Sequence, residues 1–197
     1  MIKKKAYFIR HGESEANAGG RTSDPANVRL SPAGIKQAED LATVITEIPE
    51  LIITSSYVRT AETSAPLIKK VRKAICETWE IHEFTYLSPA KCGNSTAQER
   101  RPMVEEYWKR CDPFYCDGEG AETFNNFINR VKRTLRKLKA RKENIIAVFS
   151  HEQFIKALLW VHGRGEITHL SSEDMKIYKD LLAVNRIPNC GVVKIEI

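Results

Sequence analysis

The sequence predicts an α/β fold, a three-layer sandwich in which a mainly parallel central sheet is covered on both faces by helices. Short apolar runs alternate along the chain with segments of helical period, as a crossover-connected sheet requires. One run, Asn144 to Phe149, is apolar without alternation, which is how a strand buried on both faces reads. A chain of 197 residues with 42% hydrophobic content is also the size at which a single core is sufficient. One domain over residues 1–197 is expected, with a cap-like insertion around 87–120.

Ala6 to Ile9 mixes aromatic and β-branched residues and predicts a short strand that delivers Arg10 and His11 to its carboxyl end. Gly12 to Leu30 is rich in Gly, Asn, Ser and Pro with no apolar period, a long loop of the kind that carries function. Ser31-Pro32 supplies an N-cap and a first-turn proline for a helix whose apolar face is Ile35, Ala38, Leu41, Ala42 and Ile45. Leu51 to Ile53 predicts a buried strand, followed by a helix with Arg59 in its first turn that Pro66 should kink or end. Ala74 to Cys76 predicts another short strand. Leu87 to Gly120 is polar and irregular apart from a helix near Met103 to Arg110, and reads as an insertion over one face of the sheet. Phe124, Phe127, Ile128, Val131, Leu135 and Leu138 share one face of a long helix. After the Asn144 strand come Ser150-His151, a helix over Phe154 to Val161, and a turn at Pro188 to Gly191 into a final strand, Val192 to Ile197.

The net charge is +6, and much of it lies between Arg130 and Lys142, where eight basic residues occur with no acid among them. A solvated helix face is the expected use of such a run, and no nucleic-acid module accompanies it. Five cysteines at scattered positions suit reduced thiols in a cytoplasm, and Cys111 with Cys116 lacks the second pair that a zinc site needs. The lysine-rich start, Met1 to Ile9, carries no apolar run of signal-peptide or membrane-span length, and none follows later. A cytoplasmic protein without membrane contact is expected; its oligomeric state is left open.

Two strands end in histidine, at Arg10-His11 and Ser150-His151, and in a parallel sheet that brings both rings to the edge where ligands bind. With them stand Arg10-His11-Gly12-Glu13-Ser14, Asn17, Arg21 and Ser23, Leu30-Ser31-Pro32-Ala33-Gly34, Ser56 to Arg59, Glu83 with Tyr86, Gly120 to Phe124, and Phe149-Ser150-His151. In that order, across nearly the whole chain, these residues resemble the phosphoglycerate mutase-like branch of the histidine phosphatase superfamily.

The resemblance implies that His11 attacks a substrate phosphorus and forms a phosphohistidine that water then hydrolyses. It implies that Arg10, Arg59 and His151, with Asn17 and Ser23, hold the phosphoryl oxygens, a task suited to the planar, permanently charged guanidinium fork. It also implies that a carboxylic acid matching Glu83 protonates the leaving group and then activates water. Glu80, Glu77 and Glu13 are rival carboxylates. Guanidinium and imidazole charge replaces that of a metal, and no metal or other cofactor is expected. His82, His162 and His169 have no comparable setting and are expected in loops or at the surface.

The sequence departs from the family pattern at Glu152, where glycine commonly follows the second histidine, and at Asp24, where mutases carry glycine. Tyr86 is followed by Leu87-Ser88-Pro89 rather than the mutase Tyr-Gly element. A metal-independent phosphatase acting on a small phosphorylated substrate is therefore the expectation. Phosphoglycerate mutase-type transfer, with Arg100 and Arg101 on a second anionic group, is the alternative enzyme. A non-catalytic protein that binds an acidic partner through the Arg130 to Lys142 helix is the alternative of another class.

Overall fold

The computed structural model describes residues 4–165 and 167–197; Met1 to Lys3, part of the lysine-rich start, lie outside the described residues. Strands β1 (Lys5–Arg10), β2 (Leu51–Ser55), β3 (Ile75–Trp79), β4 (Ile145–Ser150) and β5 (Val192–Glu196) form one sheet in the order β3-β2-β4-β1-β5. All neighbours run parallel except β5, which pairs antiparallel with β1 at one edge. Alternation along the central strands sends Phe8, Ile53 and Val148 to one face and Ile9, Ile52 and Phe149 to the other. Helices α1 (Pro32–Val44) and α2 (Val58–Lys70) cover the second face with Leu41 and Leu67. Helices α5 (Phe124–Lys139) and α6 (Glu152–Arg164) cover the first with Phe127, Val131, Phe154 and Ile155. Each of these fully buried side chains contributes about 1.5–3 kcal/mol of transfer free energy, so the three-layer sandwich is held from both sides.

Several local expectations are corrected by packing. Ile35 is 51% exposed, and the buried stripe of α1 starts at Gly34 instead, because that glycine lies against the backbone of Glu13. Pro66 sits inside α2, which continues to Lys70. A proline there forfeits a helix hydrogen bond at roughly 3 kcal/mol, and buried Thr63, Ser64 and Leu67 offset it. Helices α3 (Pro89–Cys92) and α4 (Ala97–Arg110) occupy the segment read as mostly irregular. Helix α4 begins at a capping box, with Glu99 N donating to Thr96 Oγ1 and Thr96 N donating to Glu99 Oε2. Helix α7 (Ser172–Ala183) was not predicted; a Ser171–Asp174 capping box starts it, and Met175 and Tyr178 bury its face.

The basic helix α5 is not solvated along its whole polar face. Arg130 is 4% exposed, forks onto Glu122 with both distances at 2.8 Å, and donates to the carbonyls of Glu80 and His82. Arg133, Arg136, Lys137 and Lys139 are exposed as expected. No helix among the described residues is long and apolar enough to cross a membrane.

Candidate active site

Register brings the site together. Arg10 pairs with Ser150 across the parallel β1–β4 ladder, so His11 and His151 leave adjacent strands at the same level. Their ring centroids are 5.1 Å apart. On the other side of β4, Thr54 pairs with Phe149, which sets Ser55 beside the second histidine, and Ser55 Oγ lies 2.8 Å from His151 Nε2. The amide of His11 extends the ladder by donating to Ser150 O at 3.0 Å.

The loop after His11 is fixed by contacts that only glycine permits. A Cβ on Gly12 would stand 2.7 Å from Gly34 O, and one on Gly34 would stand 1.9 Å from Glu13 O. The glycine of the Arg-His-Gly-Glu box and the glycine ending Leu-Ser-Pro-Ala-Gly therefore press the loop onto the start of α1. Ser31 Oγ caps that helix by accepting from Gly34 N and itself donates to Glu13 Oε1, while Gly12 N donates to Thr63 Oγ1 of α2.

His11 is buried, and its Nδ1 lies 2.7 Å from Gly12 O. A carbonyl only accepts, so the proton resides on Nδ1 and the lone pair on Nε2. Burial first, and then the positive charges of Arg59 and Arg10, push the His11 pKa down to about 3. The ring is thus neutral, with Nε2 free to act as a nucleophile, throughout the neutral range. His151 is fully buried and takes the opposite tautomer: Arg59 Nη2 donates to its Nδ1 at 3.0 Å, so Nε2–H donates to Ser55 Oγ. Burial and the Arg59 charge hold its pKa well below the ordinary histidine value.

The histidine edge opens into a cavity of about 370 Å³ whose lining includes Arg10, His11, Asn17, Arg59, Glu83 and Gln153. Arg59 is 8% exposed; its Nη1 donates to Pro25 O and its guanidinium lies 4.7 Å from the Tyr57 ring centroid. Burial lowers its pKa to about 10, which still leaves it charged at neutral pH. Arg10 is anchored by Nη1, on Ile187 O and Glu152, and its Nε is buried with no partner among the described residues. Asn17 Oδ1 accepts from the amide and hydroxyl of Ser14 and from Asn189 Nδ2, which leaves the Asn17 amide NH2 as the end available to an anion. Ser23 is the predicted site residue that the structure does not bring in: it is exposed on a neighbouring cavity beside Asp24. Thr22 pairs with Ser95 in an isolated bridge and is buried, and it is Thr22 that lines the histidine cavity.

Glu83 faces the same cavity, set on the N-terminus of α6, where His151 provides no side-chain cap. Its carboxyl accepts from Phe84 N and Phe154 N at 3.2 Å and from Gln153 N at 3.4 Å. Burial raises its pKa, opposed by Arg59 and by those backbone amides, and the net direction is upward. The rivals lie elsewhere: Glu77 pairs with Arg141, Glu13 accepts from Ser31, and Glu80 is exposed outside the cavity lining. Glu152 is 8% exposed and saturated by cations, with Arg10 at 3.0 Å, Arg186 at 2.7 Å and Lys156 at 3.5 Å. Asp24 is turned into its own loop, accepting from Ala26 N and Asn27 Nδ2. His82, expected in a loop or at the surface, is half-buried and stacks on Tyr57 at 5.5 Å. Among the described residues no group of three or more His, Cys, Asp or Glu side chains could hold a metal ion, and all five cysteines are free.

A nucleophilic imidazole beside two buried guanidinium groups, with a carboxyl biased toward its protonated form across the cavity, defines a phosphate-ester hydrolase. The chain belongs to the histidine phosphatase superfamily (branch 1), whose profile matches residues 6–187. It is 26% identical over 163 residues to the adenosylcobalamin/alpha-ribazole phosphatase of Escherichia coli (strain K12), covering 79% of this chain and 77% of that protein. It is 28% identical over 172 residues to the Homo sapiens 6-phosphofructo-2-kinase/fructose-2,6-bisphosphatase 4, covering 81% of this chain but 33% of that protein. In fold it is similar to the alpha-ribazole phosphatase of Shigella flexneri, with a TM-score of 0.73 at 23% identity, over 98% of this chain and 90% of that one. Family membership makes the chain an enzyme that hydrolyses phosphate esters through a phosphohistidine.

Proposed function

We propose that the chain hydrolyses a small phosphomonoester by the following division of labour. Nε2 of His11 attacks phosphorus as the bond to the leaving oxygen breaks, and Glu83 gives that oxygen its proton. The resulting carboxylate of Glu83 takes a proton from water as the water oxygen attacks phosphorus, the phosphorus–nitrogen bond breaks, and the electron pair returns to Nε2. Arg10, Arg59, Asn17 and His151 bind the phosphoryl oxygens, so no step requires a metal charge.

The observation that carries this reading is the His11 tautomer: the hydrogen bond from Nδ1 to Gly12 O directs the lone pair to Nε2 in a ring kept neutral by its surroundings. The segment 87–120 acts as a cap, since Leu87, Pro89, Cys92, Arg100 and Val104 wall the cavity opposite the histidines. Alpha-ribazole phosphatases among the similar proteins support a small organic phosphate as substrate. The test is release of inorganic phosphate from 4-nitrophenyl phosphate by the wild type and His11→Ala. Loss of turnover in the variant is expected; equal turnover in both would reject His11 as the nucleophile.

A further inference from the structure

The buried polar atoms left without a partner point into the cavity. Among the described residues such side-chain atoms are Arg10 Nε, Thr22 Oγ1, Tyr107 OH and Gln153 Oε1, and all but the tyrosine belong to residues that line the histidine cavity. Native proteins leave few buried polar atoms unsatisfied, so their concentration at one cavity marks where a ligand supplies the missing bonds. Arg10 Nε belongs with the phosphoryl group. The other two stand beyond it, on the leaving-group side.

Thr22 is 7% exposed and held to the cap by backbone bonds, Thr22 N donating to Ser95 O at 2.9 Å and Ser95 N to Thr22 O at 3.4 Å. Gln153 is the second residue of α6; its main chain is fixed by Glu83 and by Tyr178 OH, which donates to Gln153 O at 2.7 Å. Between them the wall is apolar, with Val28, Tyr86, Leu87 and Val104. The only further cation in the lining is Arg100, whose Nη1 is already engaged by Ser95 O and Oγ. Glu152 is neutralised by its own partners, and Glu83 is the acid.

We propose that Thr22 and Gln153 read the leaving group, and that the substrate is the phosphomonoester of an uncharged alcohol that carries further hydroxyl groups. Gln153 Oε1 accepts from one substrate hydroxyl, and Thr22 Oγ1 exchanges a hydrogen bond with another. A second phosphate or a carboxylate on the leaving group finds no free pair of cations here, while a purely hydrocarbon leaving group leaves both polar atoms buried and unpaired. Sites built to bond a hydroxyl discriminate against analogues that lack it, and each contact is expected to be worth about 10- to 100-fold.

This inference rests on the phosphatase reading, and the experiment separates the two. The kcat/KM values of glycerol 1-phosphate, propyl phosphate and 3-phosphoglycerate are compared, with 4-nitrophenyl phosphate reporting competent enzyme, in the wild type, Thr22→Val and Gln153→Met. The wild type should prefer glycerol 1-phosphate to propyl phosphate by about 10-fold or more, and each variant should bring that ratio toward one. The wild-type ratio decides the matter even where a variant does not fold. A wild-type ratio near one, a ratio unmoved in folded variants, or a preference for 3-phosphoglycerate would overturn the proposal while phosphatase action stands. Failure to hydrolyse 4-nitrophenyl phosphate as well would reject the phosphatase reading, and this inference with it.

Discussion

Replacing Glu152 with glutamine tests what holds Arg10 at the phosphate. The carboxylate is 8% exposed and receives Arg10 at 3.0 Å, Arg186 at 2.7 and 3.0 Å and the amide of Ile187 at 3.2 Å. Burial works to raise its pKa, but the Arg186 hydrogen bonds and the Arg10 charge outweigh burial and hold it below the ordinary value, so it is anionic at neutral pH. The Arg186 side chain is 69% exposed, and that arm contributes at most about 1 kcal/mol. The Arg10 arm is buried at both ends, and removing a partner outright from such a pair costs about 3–5 kcal/mol. Glutamine retains one acceptor oxygen, so a loss of about 2 kcal/mol is expected, or a fall in Tm of about 4–8 °C for a domain of this size. Arg10 then keeps only Ile187 O as an anchor, and a displacement of about 1 Å in a phosphate-positioning group costs about 100-fold in rate. Differential scanning calorimetry and kcat/KM for 4-nitrophenyl phosphate measure both effects, and Glu152→Asp should recover part of each. Because the folded pKa is depressed, the stability difference should be full above the ordinary carboxylate pKa and vanish as pH falls through the depressed value. Unchanged melting together with unchanged kcat/KM in Glu152→Gln would refute the assignment of this carboxylate as the Arg10 anchor.

Glu83→Gln should slow esters with poor leaving groups far more than 4-nitrophenyl phosphate, because only the former need a proton; stopped assays on alkyl and aryl esters measure the contrast. The raised Glu83 pKa means that its protonated form stabilises the fold below the ordinary carboxylate pKa and that this contribution is lost as pH rises through the raised value. Glu83→Gln should accordingly melt above the wild type in mildly alkaline buffer and level with it in acid, and the wild-type rate on alkyl esters should fall with rising pH. Arg130→Met removes the donor to the carbonyls of Glu80 and His82, just before Glu83, and strands Glu122; a loss of about 3–5 kcal/mol is expected in chemical denaturation. Gly34→Ala places a Cβ 1.9 Å from Glu13 O, so it should displace the His11 loop and lower stability by about 1–3 kcal/mol, with activity falling in parallel.

The alternation of strands and helices made the sheet legible, since β1, β2 and β4 are apolar runs whose ends coincide with His11, Ser55 and His151. The pairing of both histidines followed from their being strand ends in a parallel sheet, where register alone brings them side by side. Tertiary contacts hid the rest. Arg130 reads as one of many basic residues on a helix, and nothing local shows that Glu122 and two distant carbonyls bury it. Thr22 and Ser23 are equivalent in composition, and the bridge to Ser95, far along the chain, selects which one faces the cavity. Glu152 reads as a helix-start acid; its partners Arg10 and Arg186 come from opposite ends of the sequence. Helix α7 carried a local signal, Ser171 with Asp174 before Met175, Tyr178 and Leu182, that the capping-box rule identifies.

The most direct test of the central claim is to quench turnover of a phosphomonoester under alkaline conditions, which preserve phosphohistidine, and to locate the phosphate by peptide mass spectrometry with ³¹P NMR of the intact protein. Phosphate on Nε2 of His11, absent from His11→Ala, is the predicted result. Phosphate on His151, or on a serine or cysteine, would contradict it.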